Sequence, residues 1–369
     1  MSTQPAVAPS LATDTSAPAV RHPAFDAAPG YLNAATLGLP PRATADAVRD
    51  AVDAWQRGYA CAVGYDTVVN RARELYAQLV GVPSSWVAVG SQVSVTAGTL
   101  AASLPPGSRV ICVDGDFSSM VFPFLVQADR SVSVQHVPLE QLPEAVAAGC
   151  DVVAFSLAQS ADGQVVDATA VVEAARRVGA LTFCDTTQAA GWMDIDASQF
   201  DVTVCSAYKW LCAPRGSAFA TIRPGLLEQI RPVNAGWYAG DSVWGSCYGP
   251  DMDLAPDARR FDVSPAWLSW VGTVPSLELF TSLTPAERAH GSRLADRLRA
   301  RLGMPAQDRP VLSLPDADGA IAQQLGLAGC TVAGRAGLVR IAFHLWNDDG
   351  DVARVGDALV LAGSASLLG

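Results

Sequence analysis

Six short apolar runs recur through the middle of the chain, at 109–113, 132–137, 151–156, 181–185, 202–206 and 218–222. Most are near-continuous rather than alternating. That pattern belongs to strands covered on both faces in a parallel or mixed sheet. Helical periodicity lies between several of them, clearest at 168–178. Upstream, apolar positions at helical spacing predict helices over 44–57 and 67–80. Gly81 stops the second of these, with Pro83 just beyond. Residues 87–92 read as a short strand and a turn, and 93–104 as a helix of small residues.

The segment 231–274 breaks this rhythm. It holds Trp237, Tyr238, Trp244, Tyr248, Phe261, Trp267 and Trp270 among many Gly, Pro and Asp. The lack of periodicity predicts a long ordered loop region, and loops of that length in a compact domain are usually functional. Thr284, Pro285 and Glu287 then spell a capping box opening a helix to about residue 302. A strand over 337–344 carries Arg340, and Asn347 or Asp348 caps a last helix. The expected division is a disordered tail at 1–22, a large α/β domain at 23–270 and a small α+β domain at 271–369. No internal repeat is visible.

Composition narrows the function. Half of the 369 residues are apolar, and the formal net charge is −11. An acidic chain is a poor partner for nucleic acid or an anionic membrane surface. No apolar run is long enough to span a bilayer. The first 20 residues lack a basic region followed by an apolar one, so they read as a tail and not a signal peptide. None of the 8 cysteines forms a C-x-x-C pair, and the 4 histidines have no ligand spacing. Cys112, Cys184 and Cys205 lie in apolar runs and read as small buried hydrophobes. A reduced, cytoplasmic protein without a metal site is expected.

Charge also singles out one residue. Lys209 is the only lysine among the 25 basic residues; the others are arginine. Arginine stays protonated in proteins, whereas a lysine can lose its proton and attack a carbonyl to form a Schiff base. A surface lysine left by chance is the ordinary alternative, but its neighbours in Ser206-Ala207-Tyr208-Lys209-Trp210-Leu211-Cys212 are small or apolar. Asp185 closes a buried run, where a carboxylate is costly unless it meets a cation. A protonated pyridine nitrogen or a core arginine would serve. The turn at Gly90-Ser91-Gln92 opens a helix at Val93, leaving backbone N–H groups free for an anion. Arg340, in a late apolar strand, can pair with a substrate carboxylate or with a structural one. An amine, an acid for a ring nitrogen, an anion cradle and a carboxylate clamp are what a pyridoxal-phosphate enzyme acting on an amino acid requires.

Asp185-x-x-Gln188 and Ser206-Ala207-Tyr208-Lys209 carry a resemblance to the class V aminotransferase family of fold-type I pyridoxal-phosphate enzymes. It covers about 31–349. The resemblance implies a mainly parallel seven-stranded sheet with a small C-terminal domain. It implies that Lys209 and Asp185 are catalytic. Gln188 and Gln159 would lie by the cofactor's phenolic oxygen, and Phe117 would stack on its ring. Ser206 and Tyr208 would hold the phosphate with Ser91, Gln92 and Val93. Tyr208 stands where the desulfurases of this family have His. Asn33, Ala34 and Arg340 would meet the substrate. Ser264 would reach the phosphate of a partner subunit, which implies a homodimer with shared active sites.

Further details, Phe117-x-x-x-x-Phe122-Pro123, 159–163 and 340–347, are similar to the branch holding the carbon–sulfur lyase of ergothioneine synthesis and related enzymes of lincosamide antibiotic assembly. That likeness implies β-elimination of a cysteine S-conjugate. Decarboxylation with oxidation to an aldehyde, transamination and desulfuration are the alternatives, and a non-enzymatic binding module is a further one. Cys330 precedes Arg340, but its setting in Ala328-Gly329-Cys330-Thr331-Val332 lacks the long flexible loop that a desulfurase thiol needs. The aromatic residues at 237–270 could admit a bulky sulfur substituent or pack at a dimer interface.

Overall fold

A computed structural model describes residues 18–361. The helices are α1 (Arg42–Gln56), α2 (Gly64–Leu79), α3 (Val93–Ser103), α4 (Ser118–Leu125), α5 (Leu142–Ala147), α6 (Ala168–Val178), α7 (Trp267–Ser282), α8 (Pro285–Arg288), α9 (His290–Arg301), α10 (Ala320–Leu327) and α11 (Asp349–Leu361). The strands are β1 (Val87–Gly90), β2 (Arg109–Val113), β3 (Ser133–Val137), β4 (Val152–Ser156), β5 (Leu181–Asp185), β6 (Val202–Ser206), β7 (Ala218–Ile222), β8 (Val311–Pro315), β9 (Ala333–Arg335) and β10 (Leu338–Ala342).

The 7 strands of the large sheet run in the order β1-β7-β6-β5-β4-β2-β3. Only β7 is antiparallel to its neighbours. The continuous apolar runs have their expected cause. Val153, Phe155 and Cys184 pack into one hydrophobic layer, while Val152, Ala154 and Phe183 pack into the layer on the opposite face. Burying such a side chain contributes about 1.5–3 kcal/mol, so both faces of the central strands stabilise the fold. Cys112, Cys184 and Cys205 are as buried as their neighbours.

The aromatic segment ends differently from the sequence expectation. Trp267 and Trp270 belong to α7, and Trp270 packs edge-on against Phe219 at 5.2 Å. A helix packed on several sides is apolar all round and shows no periodicity. Pro275 inside α7 further disguised it. The boundary set at 270/271 therefore falls within α7, whose Leu277 and Phe280 join the core of the large domain.

The small domain is the three-stranded sheet β8-β10-β9 packed by α9, α10 and α11. Most of the tail read at 1–22 lies outside the described residues. Its last residues are held: Ala19 N donates to Asp349 Oδ2 at 2.8 Å, and His22 N to Leu345 O at 2.8 Å. Leu32 enters the small-domain core, and Asn33 bridges Ala342. The N-terminal segment thus runs from the small domain across to the large one. Among the described residues, no helix is long and apolar enough to cross a membrane.

Candidate active site

β1, β4, β5 and β6 are parallel, so their carboxyl ends share one edge of the sheet. Ligands in open α/β sheets bind outside such an edge. Gly90 and Ser206 both face Ala218 across the ladders. They stand at one level, roughly 10 Å apart at two strand spacings. Asp185 lies one strand further on, paired with Val204 on one side and Ser156 on the other.

Lys209 sits in the loop from β6 to β7. Ala207 N bonds Ser217 O at 3.1 Å and Cys212 N bonds Lys209 O at 3.1 Å, closing the loop tightly. The Lys209 side chain is buried, which pushes its amine down to about 8. Asp185 opposes that shift, and the charges of Arg340 and Arg335 reinforce it. Asp185 moves the other way, up to about 6, because burial outweighs its bonds to Thr187 and the attraction of Lys209. Asp185 Oδ1 accepts from Thr187 N at 2.8 Å. The Lys209 amine lies 5.1 Å from the centroid of Phe117, a ring left 41% exposed.

Phe117 is aimed by a residue the sequence reading passed over. Asp116 accepts from Phe117 N at 2.6 Å, from Ser156 Oγ at 2.6 Å and from Gln159 Nε2 at 3.4 Å. Gln159 also donates to Ser156 O at 3.1 Å. Asp116 follows Gly115 in an acidic turn, and nothing local to the sequence distinguishes it from a solvated turn residue.

The helix α3 begins at Val93 with Gln92 as its N-cap, and no side chain caps it. Its first N–H groups therefore remain available to an anion. Ser91 and Gln92 are exposed and Val93 is buried. Ser206 is buried, with its N–H on Thr187 Oγ1 at 2.9 Å. Tyr208 is half-buried, its ring 5.0 Å from the Arg215 guanidinium. Ser264 is exposed; Val263 beside it bonds Val89 O at 3.1 Å, so the segment runs along the end of β1.

Arg340 is buried and bonds the Ser160 carbonyl and, at 2.9 Å, Thr36 Oγ1. Its Nε has no partner. No carboxylate pairs with it among the described residues, and burial lowers it to about 10. A buried guanidinium without a counter-ion calls for an anionic ligand. Asn33 lies alongside at Ala342, its Oδ1 buried and unpaired. Ala34 is fully buried and contributes backbone alone. The sequence did not single out Thr36 and Ser160, which position Arg340. Only the chain's return from the N-terminus to the small sheet brings them there.

An unpaired buried guanidinium, an uncapped helix start, a buried carboxylate and a low-pKa amine under an exposed aromatic ring suit a phosphorylated pyridine aldehyde and an amino acid. The fold is that of the fold-type I pyridoxal-phosphate enzymes. The model of the aminotransferase class-V family matches residues 49–314, and the chain belongs to that family, whose cofactor is pyridoxal phosphate.

Among curated proteins, isopenicillin N epimerase of Streptomyces clavuligerus is 30% identical over 277 residues, covering 67% of each chain. The uncharacterized aminotransferase YcbU of Bacillus subtilis (strain 168) is 28% identical over 222 residues; the match covers 58% of this chain and 58% of that protein. Among solved structures, the cystine C-S lyase C-DES with its product cysteine persulfide superposes with a TM-score of 0.79 at 18% identity, covering 90% of this chain and 98% of that one. The cysteine desulfurase CsdA of Escherichia coli gives 0.78 at 19% identity, covering 93% and 97%. At such identities these structures establish the fold.

Proposed function

We propose that the protein is a pyridoxal-phosphate lyase that breaks the Cβ–S bond of a cysteine S-conjugate and releases a thiol, pyruvate and ammonia. The observation that carries this reading is a buried amine, Lys209, placed to act as a base, while Cys330 is closed off as a nucleophile. Cys330, the cysteine before Arg340, is buried in the small-domain core, and burial raises its thiol. Desulfuration needs a mobile thiolate. Elimination needs only a base and a clamp, and Lys209 and Arg340 can supply them.

Lys209 would anchor the cofactor, Asp185 would meet its ring nitrogen, and Phe117 would cover its ring. Gln159 and Gln188 would lie at its phenolic oxygen. The start of α3 at Ser91, Gln92 and Val93, with Ser206 and Tyr208, would hold its phosphate. When bound, pyridoxal phosphate supplies an electron sink that makes the substrate's Cα–H acidic. Arg340 binds the α-carboxylate in a bidentate pair, with Asn33 and the Ala34 backbone beside it. Asp185 keeps a proton on the ring nitrogen. Lys209, with its amine near 8, takes the Cα proton. The Cα–H electrons become the Cα–Cβ double bond, and the Cβ–S electrons leave with sulfur as thiolate. Water then replaces the nitrogen, giving pyruvate and ammonia.

The same reading includes a homodimer in which Ser264 of one subunit reaches the other's phosphate. An apolar groove formed by Trp55, Tyr65, Trp267 and Leu268, the last two just beyond Ser264 in the chain, supports that pairing.

The test is product analysis of purified holoenzyme with a panel of cysteine S-conjugates. Stoichiometric thiol, pyruvate and ammonia are expected. Turnover of an amino acid only when a keto acid is added, with no thiol released, would overturn elimination in favour of transamination.

A further inference from the structure

The small sheet carries a second guanidinium beside Arg340. In the β9–β10 ladder Arg340 faces Ala333, and Leu338 faces Arg335. Residues opposite one another, and residues two apart, share a face of a sheet. Arg335 and Arg340 therefore project from one face. Val339 and Ile341 occupy the other face and fill the small-domain core. The arginine face looks toward the active site: Arg340 reaches Ser160 and Thr36, and Val311 of β8 packs against Gly163 in the loop after Gln159. Diagonal positions on such a ladder lie about 7–8 Å apart.

Arg335 is exposed, and its hydrogen bond, at 2.9 Å, goes to the neighbouring Gly334 carbonyl. No carboxylate pairs with it among the described residues. Its charge reaches both Arg340 and the Lys209 amine and pushes each down. Ser313, opposite Arg340 on β8, adds a buried hydroxyl without a partner on the same face. Two unpaired guanidinium groups on one face repel, and that repulsion is relieved when each meets an anion. The chain is acidic overall, with a net charge of −11, so this local excess of positive charge stands against its surroundings.

We infer that Arg335 is a specificity-determining residue that binds a second anionic group, at the far end of the substrate's side chain, while Arg340 holds the α-carboxylate. This rests on the reading of Arg340 as the clamp of an amino-acid substrate. It selects amino acids ending in a carboxylate over neutral and cationic ones.

The experiment titrates holoenzyme with matched pairs and follows the cofactor's visible absorption. One pair is glutamate and glutamine, which carry no sulfur leaving group. The other is S-carboxyethylcysteine and its side-chain amide. The native enzyme is expected to bind the acidic member at least about tenfold more tightly, as for a hydrogen-bonded charge pair. Arg335→Gln is expected to bring the pairs within about threefold, and Arg335→Lys to retain part of the preference. Retained absorption and melting temperature check that the variants fold. Perturbation without preference, or a preference that survives Arg335→Gln, overturns this inference alone. No perturbation by any of the four ligands overturns the Arg340 reading and this inference with it. Thiol release is scored separately, so a failure of elimination leaves the binding result legible.

Discussion

The indole Nε1–H of Trp210 donates to Gln188 Oε1 at 2.7 Å. An indole nitrogen can only donate, so the amide oxygen must face it. The Gln188 NH2 is thereby turned to Ala35 O at 3.0 Å and Ser160 Oγ at 3.1 Å. The residue after Lys209 thus fixes the orientation of the amide proposed to meet the cofactor's phenolic oxygen. Trp210→Phe keeps the ring and removes the donor. It should shift the visible absorption of the bound cofactor and lower kcat/KM by about tenfold, the scale of one hydrogen bond. Unchanged absorption in a folded variant would show that the amide holds its orientation without Trp210.

Lys209→Ala should abolish the visible band and lower turnover by about a thousandfold or more, since it removes anchor and base together. The folded state should not suffer. Deleting a buried amine removes its desolvation cost, and the melting temperature of the apoprotein should stay level or rise.

Cofactor loading should depend on pH with the sign set by the depressed amine. Only the neutral amine attacks an aldehyde, and Lys209 sits near 8 against an ordinary 10.5. The rate at which apoprotein takes up pyridoxal phosphate should climb as pH rises and level off above about pH 8. Stopped-flow absorbance checks this. A rate still climbing steeply near about pH 10 would mean an ordinary, solvated amine.

Gly38 is fixed by contact. A Cβ there would lie 2.0 Å from the Lys209 carbonyl oxygen, and its N–H bonds Tyr208 O at 2.9 Å. Both partners are backbone and cannot rotate away. Gly38→Ala should cost about 1–3 kcal/mol in denaturant melts and speed cofactor loss.

His344 lies between Trp210 and Trp346, with ring centroids 5.4 and 4.4 Å away. Its Nδ1 accepts from Leu345 N at 2.7 Å, so Nε2 carries the proton toward Trp210 O at 3.0 Å. Burial holds it down to about 3 from 6.5. Between those values the unfolded chain binds a proton that the folded one refuses. Its contribution is therefore full above the unfolded value and is lost as pH falls, by up to about 1.4 kcal/mol per pH unit. Urea melts across this window should show a steeper acid loss for the native protein than for His344→Phe. Equal slopes would refute the assignment.

Much of this was legible before folding. Near-continuous apolar runs give strands covered on both faces because the water-excluded layers demand it at every position. A lone lysine and a carboxylate closing a buried strand stand out because both are costly to bury without a task. Several helices escaped, α7 and α4 among them. In α7 apolar residues surround the axis and Pro275 interrupts it, while α4 carries Pro123. In both, the local signal contradicts the packing that stabilises them.

The sequence by itself determined the large sheet, the amine at the end of β6 and the acid at the end of β5, since each follows from residues within one element. Only the tertiary structure decided how Lys209 is used. The amine becomes a weak base through burial and through the charges of Arg340 and Arg335, which lie more than a hundred residues along the chain. Ser156 and Gln159 on Asp116, Thr36 and Ser160 on Arg340, and Trp210 on Gln188 are likewise contacts between separate segments. Spacing along the chain does not encode them, because they exist only where the strand ends and the small domain meet.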